Sequence, residues 1–358
     1  MSTFEEAARI VSEGIAARAF PGAVLEAGCA TGATWRHAAG TLTWEPDAPP
    51  VEASTIYDLA SLTKVIVTTT LAMRAVDDDL LSIDAEIREW LPAWRGDDRA
   101  HVTVRDLLAH CSGLPAYLPF FRDCTGRAEF EAAICTTALE YAPRSQAIYS
   151  DLGFILLGFI LEDVRTRGPV VDPGATLAGQ FKALSSYLTP EPLCYHPPRY
   201  WRDRIAPTEH DPFRGRMLVG EVHDENAWAL GGVAGHAGIF GTAGAVGAFA
   251  RAALRTLGGD RILARPETFA AFIQRTGIPE SSRALGWDTM LPTSSCGTAL
   301  SPTAIGHTGF TGTSLWIDWE RDFYVVMLTN RVHPSRENDR IRLVRPLLHD
   351  TLAAAMTG

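Results

Sequence analysis

The stretch Tyr57-Asp58-Leu59-Ala60-Ser61-Leu62-Thr63-Lys64 decides how the rest of this chain is read. From Ser61 the pattern turns helical through about Val76, so Ser61 stands in a first turn and Lys64, three residues on, shares its face. A hydroxyl at a helix N-terminus sits in positive potential that stabilises a developing alkoxide. An amine beside it, desolvated in a pocket, takes or relays the hydroxyl's proton. The competing reading of the same residues is a capping serine and a solvated lysine. Composition bears on the choice: of 32 basic residues only two are lysines, Lys64 and Lys182. Arginine supplies charge but cannot lose its proton, so a lysine kept here points to proton chemistry.

Working outward, the first 20 residues read as an amphipathic helix, and PGAVLEAGCA and TWRHAAGTLT, split by a Thr-Gly turn, as a β-hairpin. Further helices are expected at 103–110, 127–140 and 151–166, strands at 313–320 and 323–332, and a last helix over about 338–356. Strands at both ends with helices between them predict an α+β protein. The expected boundaries are a sheet domain from 1–60 and 231–358, with a mainly helical domain inserted over 61–230. The segment 169–212 holds eight of the 22 prolines, interleaved with Tyr187, Tyr195, His196, Tyr200, Trp201 and His210. It reads as a lid or pocket wall rather than packed helices, with a plain linker as the alternative.

The bulk properties remove several function classes. A chain of 358 residues, 46% hydrophobic and 21% charged, is globular rather than disordered. A net charge of −10 without a basic stripe argues against nucleic acid and anionic membrane surfaces as partners. No run approaches the ~18 apolar residues of a membrane span. The acidic start is unlike a secretory signal, so a cytoplasmic location is expected. Cysteines at 29, 111, 124, 135, 194 and 296 form no C-x-x-C pair and read as free thiols.

Two further pieces could complete a site around Ser61. Tyr149-Ser150-Asp151 precedes the apolar helix LGFILLGFILEDV. A tyrosine at a helix entrance acts as a phenolate base if a lysine lowers its pKa; otherwise it is a buried tyrosine beside an Asp cap. His307-Thr308-Gly309 begins the expected inner strand, with Phe310-Thr311-Gly312-Thr313-Ser314 after it, where a glycine admits close approach to backbone N–H groups.

In this order the pieces resemble the serine β-lactamase and penicillin-binding-protein superfamily, nearest its class C branch with the related esterases and D-amino-acid peptidases. The likeness rests on 57–64, on Val104 through Pro115 (VRDLLAHCSGLP), on Pro143 through Asp151, on Gly238-Ile239-Phe240-Gly241-Thr242-Ala243 and on His307-Thr308-Gly309. It implies an antiparallel sheet flanked by helices beside an all-helical domain, with chemistry at their junction. It further implies Ser61 as nucleophile, Lys64 and Tyr149 as its proton handlers, and the Ser61 and Phe310 N–H groups as the oxyanion hole. Asp151, His307, Thr308, Gly309 and Phe310 would contact substrate, with neither cofactor nor metal. Three positions depart from the family: Asp151 replaces Asn, His307 replaces Lys, and Arg144 stands where Gly is usual. An ionised carboxylate cannot donate a hydrogen bond, and a histidine in place of lysine makes a permanent cation a titrating one.

The expected function is a serine hydrolase cleaving an ester or amide through an acyl-serine intermediate, the substrate a small molecule or peptide. The candidate classes are β-lactam, D-Ala peptide and carboxylic ester, with ester or amide placed ahead of β-lactam. The rivals are an acyltransferase, a non-catalytic binding module and a metallohydrolase. The last would use His210, His223, Glu225 and His236 as zinc ligands, but these lack short ligand spacing and read better as polar scaffolding.

Overall fold

A reciprocal cap starts the chain: the Ser2 hydroxyl accepts from the Glu5 N–H, and the Glu5 carboxylate accepts from the Ser2 N–H at 2.7 Å. The computed structural model describes residues 2–166 and 174–358. Helix α1 (Thr3–Ala16) leads to strands β1 (Gly22–Cys29) and β2 (Gly32–Gly40), then the short β3 (Tyr57–Asp58). A π-helical turn over Lys64–Thr69 runs into α2 (Thr70–Asp77). Then come α3 (Val104–Leu108), α4 (Gly126–Thr136), α5 (Asp151–Thr166) and α6 (Leu177–Leu188). Short strands β4 (Leu193–Tyr195), β5 (His210–Asp211) and β6 (Arg216–Met217) precede α7 (Glu225–Ala229) and β7 (Ile239–Gly241). Helices α8 (Ala243–Leu257) and α9 (Pro266–Phe272) lead to β8 (Asp288–Thr289), β9 (Ile305–Thr308), β10 (Ser314–Asp318) and β11 (Phe323–Thr329), and α10 (Ile341–Thr357) ends the fold.

The main sheet has the order β2-β1-β11-β10-β9-β8, every pair antiparallel. Period-two alternation splits β11 between two cores. Phe323, Val325 and Met327 pack with Ile10 and Val11 of α1 and Leu348 and Leu352 of α10. Tyr324, Val326 and Leu328 pack with Val246, Phe249 and Ala250 of α8. Both faces are covered, so β11 is apolar throughout rather than alternating in polarity. On the helical side α5 is buried nearly all round, as expected of a helix apolar on every face. It contacts α2, α3, α4 and α6. Among the described residues no helix is long and apolar enough to cross a membrane.

Several expectations need correction. Inside the segment read as a lid without packed helices lies α6, started by the Thr176 hydroxyl accepting from Gly179 N–H and buried through Leu177, Phe181, Leu184 and Ser185. That i, i+4, i+7, i+8 pattern is a helix stripe which the surrounding prolines obscured. Residues 169–173 of the segment lie outside the described residues. The helix expected over 127–140 stops at Thr136, where Thr136 and Thr137 hydroxyls turn back onto Ala132 and Ala133 carbonyls.

One buried charge ties the sheet to α8. The Glu26 carboxylate on β1 is sealed from solvent and accepts from Arg36 Nε (2.8 Å), Arg251 Nη1 (2.9 Å) and Tyr324 Oη (2.7 Å). Gly247 of α8 makes room, since a Cβ there would overlap Glu26 Oε1. Glu26→Ala strands two guanidinium groups and a hydroxyl. It should cost about 3–5 kcal/mol of unfolding free energy, the usual result of removing one partner of a buried ion pair. Urea unfolding of both proteins checks this, and a loss below about 1 kcal/mol would show that the cluster is not structural.

Candidate active site

The site begins with a strained bend. Asp58 at the end of β3 accepts from Ala60 N–H at Oδ1 (2.8 Å) and from His223 N–H at Oδ2 (2.7 Å). Ala60 then takes a left-handed conformation, φ 48°, unusual for a residue with a Cβ and placed immediately before Ser61. The turn between β9 and β10 grips the same bend: Thr311 Oγ1 donates to Asp58 O (2.7 Å) and Thr313 Oγ1 to Leu59 O (3.0 Å). Gly309 is required here, because a Cβ would meet Leu59 O at 2.7 Å.

Lys64 lies beneath Ser61, wholly enclosed. Its ammonium spends all three donors: on Ser61 Oγ (3.0 Å), on Asp151 Oδ1 (2.7 Å) and on the His236 carbonyl (3.2 Å). Burial favours the neutral amine, but the Asp151 carboxylate and the Tyr149 phenol outweigh it, and the pKa lies above the usual amine value. Tyr149 packs its ring 4.7 Å from Lys64 Nζ, with its hydroxyl in contact with both Lys64 and Ser61. Desolvation pushes its phenol up, and the opposing Lys64 charge does not reverse the shift. The condition set for a phenolate base is thus not met at rest: Lys64 acts to lower this tyrosine's pKa, and desolvation outweighs it. At rest, near neutral pH, the site holds an ammonium and a neutral phenol.

His307 departs from its expected role as a titrating cation. It is 3% exposed, its Nδ1 donates to the Thr308 carbonyl (2.8 Å), and its Nε2 has no partner among the described residues. Burial, then the Lys64 and Arg283 charges, hold its pKa well below the usual value, so the imidazole is neutral. The permanent cation nearby is Arg283, with its guanidinium 5.0 Å from the Tyr149 ring centroid. Nothing in the sequence marks Arg283, which sits in a loop without periodicity, near the site only through folding. Arg144 also has an explanation. Its φ of 68° is the left-handed conformation that favours glycine, and its guanidinium binds the Asp106 carboxylate (2.7 and 2.8 Å).

Ser61, Tyr149, Asp151, Arg283, His307 and Phe310 line one cavity of about 620 Å³, with Thr308 and Gly309 also on its wall. The structure thus brings every candidate residue to one place, Lys64 lying just below the surface. Phe310 is half-exposed, with the His223 ring (5.6 Å) and the Arg331 guanidinium (4.5 Å) both packed against its ring. The histidines weighed as zinc ligands do not converge. His223 Nε2 meets Glu209 (2.8 Å), His236 Nε2 meets Asp224 (2.8 Å), and Glu225 accepts from Arg336 (2.8 Å). Among the described residues no three His, Cys, Asp or Glu side chains could share a metal ion.

The chain is similar to known proteins along most of its length. The Beta-lactamase family model matches residues 7–348. A protein of Salmonella gallinarum named "Putative D-alanyl-D-alanine carboxypeptidase" is 31% identical over 328 residues, covering 82% of this chain and 74% of the relative. Among solved structures, "EstCE1, a hydrolase with promiscuous acyltransferase activity" superposes with a TM-score of 0.71 at 21% identity, covering 96% of this chain and 98% of its own. A class C beta lactamase from Rhodobacter sphaeroides gives 0.72 at 20%, covering 97% and 98%. Matched along nearly its whole length, the chain belongs to the Beta-lactamase family and is one of its serine hydrolases.

Proposed function

We propose that Ser61 is the nucleophile of an ester- or amide-cleaving reaction that passes through an acyl-Ser61 intermediate. The observation that carries this reading is the Lys64 amine, enclosed and 3.0 Å from the Ser61 hydroxyl. As Oγ attacks the carbonyl carbon, its proton passes to the deprotonated form of the Lys64–Tyr149 unit. The same unit returns a proton to the leaving oxygen or nitrogen as the bond to it breaks. Water then attacks the acyl carbon, and Ser61 is restored. The Ser61 and Phe310 N–H groups take the oxyanion of each tetrahedral intermediate. Arg283, unpaired in any ion pair among the described residues, meets an anionic group near the scissile bond. That favours a peptide or ester bearing a carboxylate, the class suggested by the name of the Salmonella relative.

Ser61→Ala should abolish any covalent adduct seen by intact-protein mass spectrometry with acyl esters, β-lactams or D-Ala peptides. It should also lower kcat/KM by about 10³ or more. Full activity in this variant would end the reading.

Because Lys64 and Tyr149 both sit above their usual pKa values, the base form is a minor fraction at neutral pH. For a neutral ester, kcat/KM should therefore climb with pH through the alkaline range. The Asp151 charge holds the Lys64 pKa up, so Asp151→Asn should bring the base form in at lower pH. The rising limb should move down by about one unit or more, each unit being ~1.4 kcal/mol of lost charge pairing. A limb that stays in place would show that Asp151 does not act on the base.

Arg283→Ala should raise KM about tenfold for a carboxylate-bearing substrate relative to a matched neutral one, the loss of one charge-assisted contact. The ratio should be flat from pH 6 to 9, because guanidinium does not titrate there. A ratio that falls as pH rises would return the role to His307.

A further inference from the structure

Helix α10 points its first turns at the cavity, where Ile341, Arg342 and Arg345 face the space in front of Ser61. Its cap residue, Arg340, gives no side-chain hydrogen bond to the opening turn. Arg345 is 8% exposed and enters no ion pair among the described residues. Among the described residues its Nε has no partner, and Nη2 reaches only the Thr313 carbonyl at 3.5 Å. Burial and the nearby Arg331 charge push its pKa down to about 10. A buried guanidinium without a counter-charge is costly and marks a site that awaits one.

Two more guanidinium groups share the place. Arg331 spends its donors on carbonyls, those of Phe310 (2.8 Å), Arg336 (3.0 Å) and Asn338 (2.7 Å), and on no carboxylate. Arg342 is exposed to the cavity and adds its charge to that felt by Arg331. The acidic groups that bear on Arg331 are Asp339 and Glu209. Glu209 is already occupied by His223 (2.8 Å) and Arg336 (2.7 Å). Arg336 is shared by Glu209 and Glu225, so four guanidinium groups against these two and Asp339 leave about one positive charge, to which the helix terminus adds roughly half of one. The cluster adjoins the chemistry: the Thr313 carbonyl that meets Arg345 also accepts the Gly309 N–H at 2.8 Å, so Arg345 lies against the turn that carries Phe310.

We propose that Arg331, Arg342 and Arg345 form a subsite for a doubly charged anionic group of the substrate, a phosphate monoester being the group that fits. Such a group carries about −1.5 to −2 charges near pH 7, and its oxygens match guanidinium forks. The proposal deepens the reading of this cavity as the acyl-transfer site and rests on it. It assigns the substrate a second anion, separate from the one facing Arg283.

Inorganic phosphate is the probe, titrated against hydrolysis of 4-nitrophenyl acetate, with sodium acetate at matched ionic strength to separate binding from screening. Phosphate should inhibit competitively and acetate should not. Arg342→Gln should weaken the inhibition about tenfold or more. Arg345→Gln removes a buried group and can unfold the chain, so Arg345→Lys, which keeps the charge and loses the fork, is run beside it and should weaken phosphate as well. Calorimetric titration of phosphate into Ser61→Ala requires no turnover. Phosphate binding that depends on Arg342, together with a wild-type protein that shows no ester activity, would sink the Ser61 reading and keep the subsite. Ester hydrolysis that phosphate and acetate affect alike, or phosphate binding indifferent to Arg342 and Arg345, would overturn the subsite and leave the Ser61 reading standing.

Discussion

An ammonium sealed from water has to be met on every side, and Lys64 meets that demand from its own turn and from two distant parts of the chain. Ser61 lies on its own turn, Asp151 at the start of α5, and the His236 carbonyl just ahead of β7. Leaving any one contact unmade would leave a charge-bearing donor in a low-dielectric pocket, which is the expensive outcome. The helical elements are thereby held against the sheet at one relative position, the one that puts Ser61 in the cavity. The π-helical turn over Lys64–Thr69 belongs to the same constraint. It opens the backbone where Lys64 must reach inward, and the Thr70 hydroxyl takes up the Val65 carbonyl at 2.9 Å. An aspartate at 151 makes this arrangement a near-neutral ion pair, whereas an amide would leave the ammonium charge uncompensated.

The histidine- and acid-rich segment that the sequence singles out without a role serves this frame. His223 is held by Glu209 through its ring and by Asp58 through its backbone N–H, and its ring lies against Phe310. Arg331 also packs on the Phe310 ring and binds its carbonyl. A half-exposed aromatic residue on a turn is thus held by both a ring and a guanidinium, and the N–H of that same residue is the one expected to face an oxyanion. His236 contributes through its main chain, under Lys64, while its ring is turned to Asp224.

What could be read beforehand follows from how local each signal is. The hairpin of β1 and β2, the paired late strands β10 and β11 and the apolar α5 are written in short periodic runs, and they fold where expected. Ser61 and Lys64 share one turn, so their proximity is also local. Tyr149 and His307 could be placed only through the family likeness, since nothing near them in sequence carries the motif. Helix α6 was hidden by flanking prolines although its own stripe is regular. Arg283 and Arg345 carry no local mark at all. Their meaning comes from what folding leaves unpaired around them. The state of His307 was likewise unreadable, because burial and two neighbouring cations, not the residue type, decide it.

The scarcity of lysine has one more consequence, for the handling of the molecule. Lys64 is sealed within the structure and Lys182 stands exposed on α6, so the outer surface offers a single lysine amine in a chain that carries 30 arginines. Amine-directed reagents, whether cross-linkers, fluorophores or surface-coupling esters, find one lysine address, on the helical side. A support coupled through Lys182 would hold every molecule in the same orientation.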